Sequence, residues 1–268
     1  MEKKTENRAA LERLSAQEKE HAEFWQSLLP GVEVKPYGFT VRWIPFVRSL
    51  FGVTFTTKLL ETHEQDAAAT YRAMLPGLPA SHRAGLEKII KDEESHEKTL
   101  IGQLKEKRIA YIGFIALGLA DAIVEITGVH AGFLGVTGST LIAGISGVIV
   151  GFAAAISMGS ASYLQAKQDP EKSPITSAIA TGISYLCSVI LLAMPYFLIS
   201  VMLPAFIVST SIGIALLAGF TFYGAIVFDR AFLGEFLESV SLMLGTALAT
   251  FLLGTFVGKV FHVSEKSF

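Results

Sequence analysis

Five long apolar stretches in the second half of the chain constrain its fold more than any other feature. They cover about residues 109–130, 139–165, 175–200, 204–228 and 234–258. A helix needs about 20 mostly apolar residues to cross the hydrocarbon core of a bilayer. Each stretch reaches that length, so the sequence predicts five transmembrane helices.

Charged residues divide the chain into two parts of different character. Residues 1–108 hold 33 of the 46 Asp, Glu, Lys and Arg residues, whereas residues 109–258 hold ten. We therefore expect a water-exposed helical domain over residues 1–105 and a membrane domain over residues 106–268. The predicted fold class is all-α, with a helical domain followed by a five-span bundle.

The Lys and Arg residues beside the spans predict how the chain crosses the membrane. Basic residues precede the first span at 105–108, separate the second and third spans at Lys167 and Lys172, and separate the fourth and fifth at Arg230. The positive-inside rule therefore predicts a cytoplasmic N-terminal domain and an outside C-terminus. The formal net charge of −2 gives no support for nucleic-acid binding.

Two carboxylates lie inside the first apolar stretch. Asp121 falls about 18 Å along the helix, near mid-bilayer, and Glu125 follows one turn later on the same face. Because a carboxylate in lipid is costly, such residues usually face a cavity or a cation pathway. The alternative is a span that starts later, with Asp121 hydrogen-bonded near the interface.

Three further residues are candidates for the same pathway. Met158 lies in the second span, and its thioether is a soft ligand for a transition metal, although packing is the more common role. Glu235 and Glu238 lie at the start of the fifth span, where the helix dipole also favours a carboxylate. A metal-entry role and a helix-terminus role both stay open for these two glutamates.

Small residues recur four apart in two of the spans. The positions are Gly147, Gly151, Ala155 and Gly159 in the second span and Gly254 and Gly258 in the fifth. Because small residues let helices approach closely in lipid, we expect these stripes to serve tight bundling or a dimer seam.

Three amphipathic helices are predicted in the N-terminal domain, over residues 5–29, 53–75 and 83–107. The first and third carry a Glu-x-x-His motif and the second a Glu-x-x-Glu motif, on faces where a core favours leucine. The ligand-type residues at these positions are Glu18, His21, Glu61, Glu64, Glu93 and His96. This set is typical of a di-iron carboxylate bundle, in which carboxylates and imidazoles hold two cations. A polar bundle with surface ion pairs is the alternative.

Several segments resemble two known protein families. Resemblance to the helices of rubrerythrin-like ferritin domains is carried by EKEHAEFW, LLETHEQDAAATYRAM and DEESHEKTL. Resemblance to the first two spans of the vacuolar iron transporter family is carried by LADAIVEITGVHAG and ISMGSASYL. The combination, which covers almost the whole chain, is similar to the prokaryotic membrane-bound ferritins. It implies a homodimer in the inner membrane of a prokaryote.

This resemblance also implies a function. It predicts export of Fe²⁺, with Mn²⁺ as the other candidate, from the cytosol in exchange for protons. It assigns Asp121, Glu125 and Met158 to the translocation path, and the six ligand-type residues of the N-terminal domain to iron binding. Ferroxidase activity at a di-iron centre is a further expectation. The rival functions are a membrane-anchored di-iron oxidase or peroxidase and an iron-storage protein.

The chain departs from these families at two places. Rubrerythrin-like bundles have four helices and three are predicted here, which leaves completion by a second subunit, weak binding or a truncated sequence as explanations. Vacuolar-type members have a Glu two turns before the second-span Met and a metal-binding insertion after that span. Here Val150 takes the first position, and residues 166–174 are too short for the insertion. We expect the N-terminal domain to replace the insertion and to pair across a dimer.

Residues 38–52 combine aromatic and basic side chains with an internal proline. Trp, Tyr and Arg favour the boundary between lipid and water, so we expect this segment on the membrane surface. A buried connector is the alternative.

Overall fold

The computed structural model describes residues 2–29, 38–61, 65–99 and 109–261, and every regular element in these ranges is a helix. The all-helical class predicted from the sequence is therefore confirmed for the described residues. The chain divides into two compact units: the first comprises Met1–Glu106 and Ile226–Phe228, and the second comprises Lys107–Ala225 and Asp229–Phe268.

Five α-helices lie in the described part of Met1–Glu106. They are α1 (Glu2–Leu28), α2 (Gly38–Phe51), α3 (Val53–Glu61), α4 (Gln65–Met74) and α5 (Ala80–Thr99), with a short 3-10 turn at Leu75–Gly77. Helix α5 packs against α1 and α4. It contributes the buried side chains Leu86, Ile89 and Ile90. The helix predicted over residues 53–75 corresponds to α3 and α4. Residues 62–64, between these two helices, lie outside the described ranges.

Among the described residues, five helices are long and apolar enough to cross a membrane. They are α6 (Ile109–Val136), α7 (Thr140–Ala166), α8 (Pro174–Leu198), α9 (Met202–Phe228) and α10 (Phe232–Val260). Each corresponds to one stretch predicted from the sequence. These helices are those of a multi-pass membrane protein, as hydropathy indicates.

The first span is longer than predicted, because two glycines near its end do not break the helix. Helix α6 continues to Val136, whereas the sequence suggested an end at about 130. A Cβ atom on Gly135 would lie only 2.6 Å from the Phe251 carbonyl oxygen of α10. Gly132 likewise faces α10, and its carbonyl group contacts Gly254. The glycines therefore permit close packing of α6 and α10.

Short polar turns begin and end the spans. The Ser139 and Ser173 hydroxyls accept backbone N–H groups of α7 and α8, and so cap these helices. Asp229 ends α9 in the left-handed conformation, with φ of 53°. Pro204 lies in the first turn of α9, where its missing N–H is not needed. The turn predicted around Pro204 therefore falls just before it.

The small-residue stripes bring helices of the same chain together. The stripe on α7 is buried, and a Cβ atom on Gly151 would lie 2.5 Å from the Val189 side chain of α8. A Cβ atom on Gly159 would lie 3.3 Å from the Ala178 carbonyl oxygen. Gly254 and Gly258 are buried against α6. Of the two roles that the sequence allowed, these contacts show tight bundling.

A buried imidazole lies between α6, α7 and α8. His130 is fully buried, and its ring centroid is 4.0 Å from that of Tyr196. The ring edge lies directly over Gly147, where a Cβ atom would overlap His130 Nε2. Gly147 is thus the position on α7 that makes room for this imidazole.

Candidate metal sites

The first candidate site lies where α1 contacts α5. Glu18 and His21 of α1 and Glu93 of α5 each offer a ligand atom, and these three atoms lie within 4.8 Å of one another. His21 Nδ1 is 3.3 Å from Glu93 Oε1 and 3.8 Å from Glu18 Oε1. The i,i+3 spacing of the α1 motif places both of its side chains on one face, as predicted.

Burial of this site is uneven. The side chains of His21 and Glu93 are 7% and 10% exposed, whereas that of Glu18 is 42% exposed. Two carboxylates at such short range repel each other, and a bound cation would offset that repulsion. The Glu18 side chain is therefore the member of the site most accessible to water.

Asp92 is a member of the site that the sequence did not reveal. Its Oδ2 atom lies 3.5 Å from His21 Nε2, on the ring nitrogen opposite the two glutamates. A carboxylate beside one imidazole nitrogen orients the ring and fixes the other nitrogen for a metal. His21 Nδ1 is the ring nitrogen that faces Glu18 and Glu93. The only signal in the sequence was a second acidic residue next to Glu93.

Half of the predicted ligand set cannot be placed. Glu64 and the side chains of Glu61 and His96 lie outside the described residues. Glu93, which shares its predicted motif with His96, lies beside the α1 motif. All three described ligands come from one chain, and they fit a single divalent cation by their number and by their oxygen and nitrogen donors. A second cation of a di-iron centre would need ligands beyond these three.

An exposed ion pair connects α1 to α5 beside the site. The Lys88 ammonium donates a hydrogen bond to Glu20. This hydrogen bond and the charge of Lys88 lower the pKa of Glu20, while Glu20 raises the pKa of Lys88. Glu20 is two residues from Glu18 and forms its ion pair with Lys88. A substitution at Glu20 is therefore a matched control for a substitution at Glu18.

The second candidate site lies inside the membrane-type bundle. Asp121 and Glu125 occupy successive turns of α6 and are both partly buried. The Tyr185 hydroxyl of α8 donates a hydrogen bond to Glu125 Oε2, and Tyr185 itself is fully buried. Met158 of α7 is partly buried and packs against the apolar cluster that contains Tyr185. The three predicted residues thus lie on α6 and α7 around one hydrophobic core.

Tyr185 is the residue of this site that the sequence analysis missed. Buried phenols usually find a hydrogen-bond partner, so a tyrosine inside an apolar span is a usable signal. Pairing it with Glu125, however, requires knowing how α8 is rotated against α6. The contact orients the Glu125 carboxylate.

Hydroxyl groups join the same three helices toward the start of α6. Ser162 of α7 and Thr181 of α8 are hydrogen-bonded at 2.7 Å, and Thr181 donates to the Phe114 carbonyl oxygen at 3.0 Å. All of these side-chain oxygens are buried. Polar contacts of this kind hold helices together in lipid, where a lost hydrogen bond is not replaced by water.

The two glutamates at the start of α10 have different surroundings. Glu235 forms an ion pair with Arg230, at 3.2 Å between Nη1 and Oε1. Glu238 is exposed one turn later. The helix-terminus position accounts for Glu235 together with its arginine partner. The metal-entry role of both residues stays a prediction.

No protein-family model, curated protein or solved structure matched the chain. The likeness to rubrerythrin-like domains and to the vacuolar iron transporter family therefore stays a prediction from the quoted segments, and the two described sites carry the functional inference.

Proposed function

We propose that the protein is a metal transporter that exports Fe²⁺, with Mn²⁺ as the alternative cargo, in exchange for protons. The observation that carries the proposal is the Asp121–Glu125–Tyr185 group within a bundle of five membrane-type helices. Carboxylates in a lipid-facing protein are retained where ions or protons pass. A simple anchor would have no use for them.

The helical domain supports the choice of cargo. Two carboxylates and one imidazole suit Fe²⁺ and Mn²⁺, whereas Mg²⁺ favours oxygen ligands and bound water. The site formed by Glu18, His21 and Glu93 would collect the ion from the cytosol. The direction of transport follows the Lys and Arg positions and the resemblance described above.

The chemistry of the inner site suits an exchange of cation for proton. A carboxylate binds either a proton or a divalent ion, and Asp121 and Glu125 together would neutralise both charges of one cation. Tyr185 holds the Glu125 carboxylate in one orientation. The site would therefore keep the same geometry after a cation leaves. Met158 would add a soft ligand that favours Fe²⁺ over hard ions.

The deciding experiment is a flux assay on the full-length protein in proteoliposomes. Fe²⁺, Mn²⁺ and Mg²⁺ are each offered with and without a pH gradient, under reducing conditions. We expect flux of Fe²⁺ or Mn²⁺ that responds to the gradient, and none of Mg²⁺. Oxidation of Fe²⁺ by a correctly folded protein without flux would assign the chain to the anchored oxidases instead.

A further inference from the structure

Helix α2 exposes an apolar stripe that neither metal site uses. Trp43, Phe46 and Leu50 follow one another at spacings of three and four residues, so they lie on one face of the helix. Their exposed fractions are 49%, 57% and 59%. The rings of Trp43 and Phe46 contact each other edge to face, with centroids 5.5 Å apart. The stripe is therefore a continuous apolar surface and not a set of scattered side chains.

The turn after α2 holds this stripe in place relative to α3. Gly52 has φ of 93°, a left-handed conformation that glycine adopts without strain. Its N–H donates to the Arg48 carbonyl oxygen at 3.0 Å, and its own carbonyl accepts the Thr56 hydroxyl at 2.7 Å. Phe55 of α3 is buried. This anchoring leaves Trp43, Phe46 and Leu50 pointing outward.

The length and composition of α2 fit a helix that lies along a membrane surface. Fourteen residues give a helix about 21 Å long, too short to cross a bilayer. The opposite face carries Arg48, which is exposed, and arginine on the polar face is attracted to anionic headgroups. Tryptophan is enriched at the boundary between lipid and water.

We propose that α2 is an interfacial helix, which inserts Trp43, Phe46 and Leu50 into the lipid bilayer at the boundary between headgroups and acyl chains. Five helices of the same chain are long and apolar enough to cross a bilayer. This surface is independent of metal transport, so it stands or falls separately from the proposed function.

The two tryptophans of the chain, Trp25 and Trp43, make a direct test possible. A Trp25→Phe variant of the full-length protein reports on Trp43 alone. The matched Trp43→Phe variant reports on Trp25, whose ring packs against Tyr71 at 5.0 Å within the helical domain. Both are reconstituted in phosphatidylcholine and phosphatidylglycerol vesicles, with or without bromine on the acyl chains, and iodide is added as the aqueous quencher.

We expect brominated chains to reduce the Trp43 emission roughly twofold or more and iodide to have little effect, because an inserted side chain touches acyl carbons. Trp25 should not respond to the brominated chains. Quenching of Trp43 by iodide alone would place α2 in water, and protection from both quenchers would mean that protein covers the stripe. Either result would overturn the proposal.

A second pair of variants tests whether the stripe is responsible. In the Trp25→Phe background, Phe46→Ser removes an apolar member of the stripe, whereas Ser49→Ala changes an exposed polar residue outside the stripe. We expect Phe46→Ser to weaken quenching by brominated chains and Ser49→Ala to leave it unchanged. Equal responses of the two variants would contradict the proposed orientation of α2.

Discussion

Both candidate sites contain carboxylates, but the side chains next to those carboxylates differ. In the helical domain, Glu18 and Glu93 lie beside the imidazole of His21, and the Glu18 side chain is partly exposed. In the bundle, Glu125 is joined by the phenol of Tyr185 and Asp121 lies one turn away. A site with a nitrogen ligand is suited to capture, whereas conduction needs binding weak enough for release.

The same contrast extends to helix packing. Large side chains join α1 to α5, where the Phe24 ring fills the space that Gly85 leaves. Glycines join α6 to α10, where Gly132 and Gly254 bring the two backbones together. Lipid gives no hydrophobic driving force between helices, so close van der Waals contact has to replace it. Each unit therefore depends on a different kind of residue for its stability.

The largest effect should come from removing charge at the inner site. We expect Asp121→Asn to reduce metal flux in proteoliposomes to background, because the amide keeps the shape but cannot neutralise a cation. The matched control is Asp169→Asn in the loop between α7 and α8. The pKa of Asp169 is lowered by the Glu171 N–H and by Lys172, so this carboxylate is ionised at neutral pH, and it is partly exposed outside the spans.

Flux through a folded Asp121→Asn protein at the wild-type rate would remove the inner site from the pathway. Loss of flux in the Asp169→Asn control as well would point to a general effect of surface charge, and it would leave no distinction between the two carboxylates.

The next largest effect should come from a candidate ligand of the helical domain, compared with a neighbouring glutamate that forms an exposed ion pair. Glu18→Gln is expected to raise the Kd for Fe²⁺ at the helical domain by about 10- to 100-fold, as the loss of a ligand or its support does at other sites. Glu20→Gln, two residues away, removes a carboxylate that bonds to Lys88 and should leave the Kd unchanged. Equilibrium binding to the full-length protein, with Asp121→Asn present to silence the inner site, measures both.

Equal Kd values for Glu18→Gln and the parent protein would show that the cluster is not a metal site. The helical domain would then be the polar bundle with surface ion pairs that the sequence also allowed.

A third prediction tests the close packing of α6 against α10. Gly254→Ala is expected to destabilise the bundle by about 1–3 kcal/mol, since the new methyl group meets the Gly132 backbone, which cannot rotate away. Gly245→Ala on the same helix meets no heavy atom within 4 Å and should be close to neutral. Thermal unfolding in detergent compares the two. A similar midpoint for both variants would argue against close approach of α6 and α10.

The smallest effect should come from Asp92, which acts through His21. Asp92→Asn is expected to weaken Fe²⁺ binding by about tenfold, the lower end for residues that orient a histidine ligand. Asp92→Glu should restore part of the affinity because the carboxylate is kept. If Asp92→Asn binds as tightly as the parent protein, the ring of His21 is oriented by other contacts.

Hydropathy predicted the spans well, because a stretch of some 20 apolar residues has few other stable locations. It placed the end of the first span too early, since the packing role of Gly132 and Gly135 depends on α10. Helical periodicity identified Glu18, His21 and Glu93 individually. It did not identify Asp92 or Tyr185, because both act across a contact between helices that are far apart in the chain.

The imidazole of His130 over Gly147 has a consequence for how such a sequence can diverge. Any side chain at position 147 would occupy the volume of the His130 ring, so position 147 cannot gain a side chain while His130 is retained. A drift to alanine or serine at 147 is tolerable only after the histidine has been replaced by a smaller residue. Related chains should therefore show paired substitutions at 130 and 147, which a sufficiently deep set of sequences can reveal.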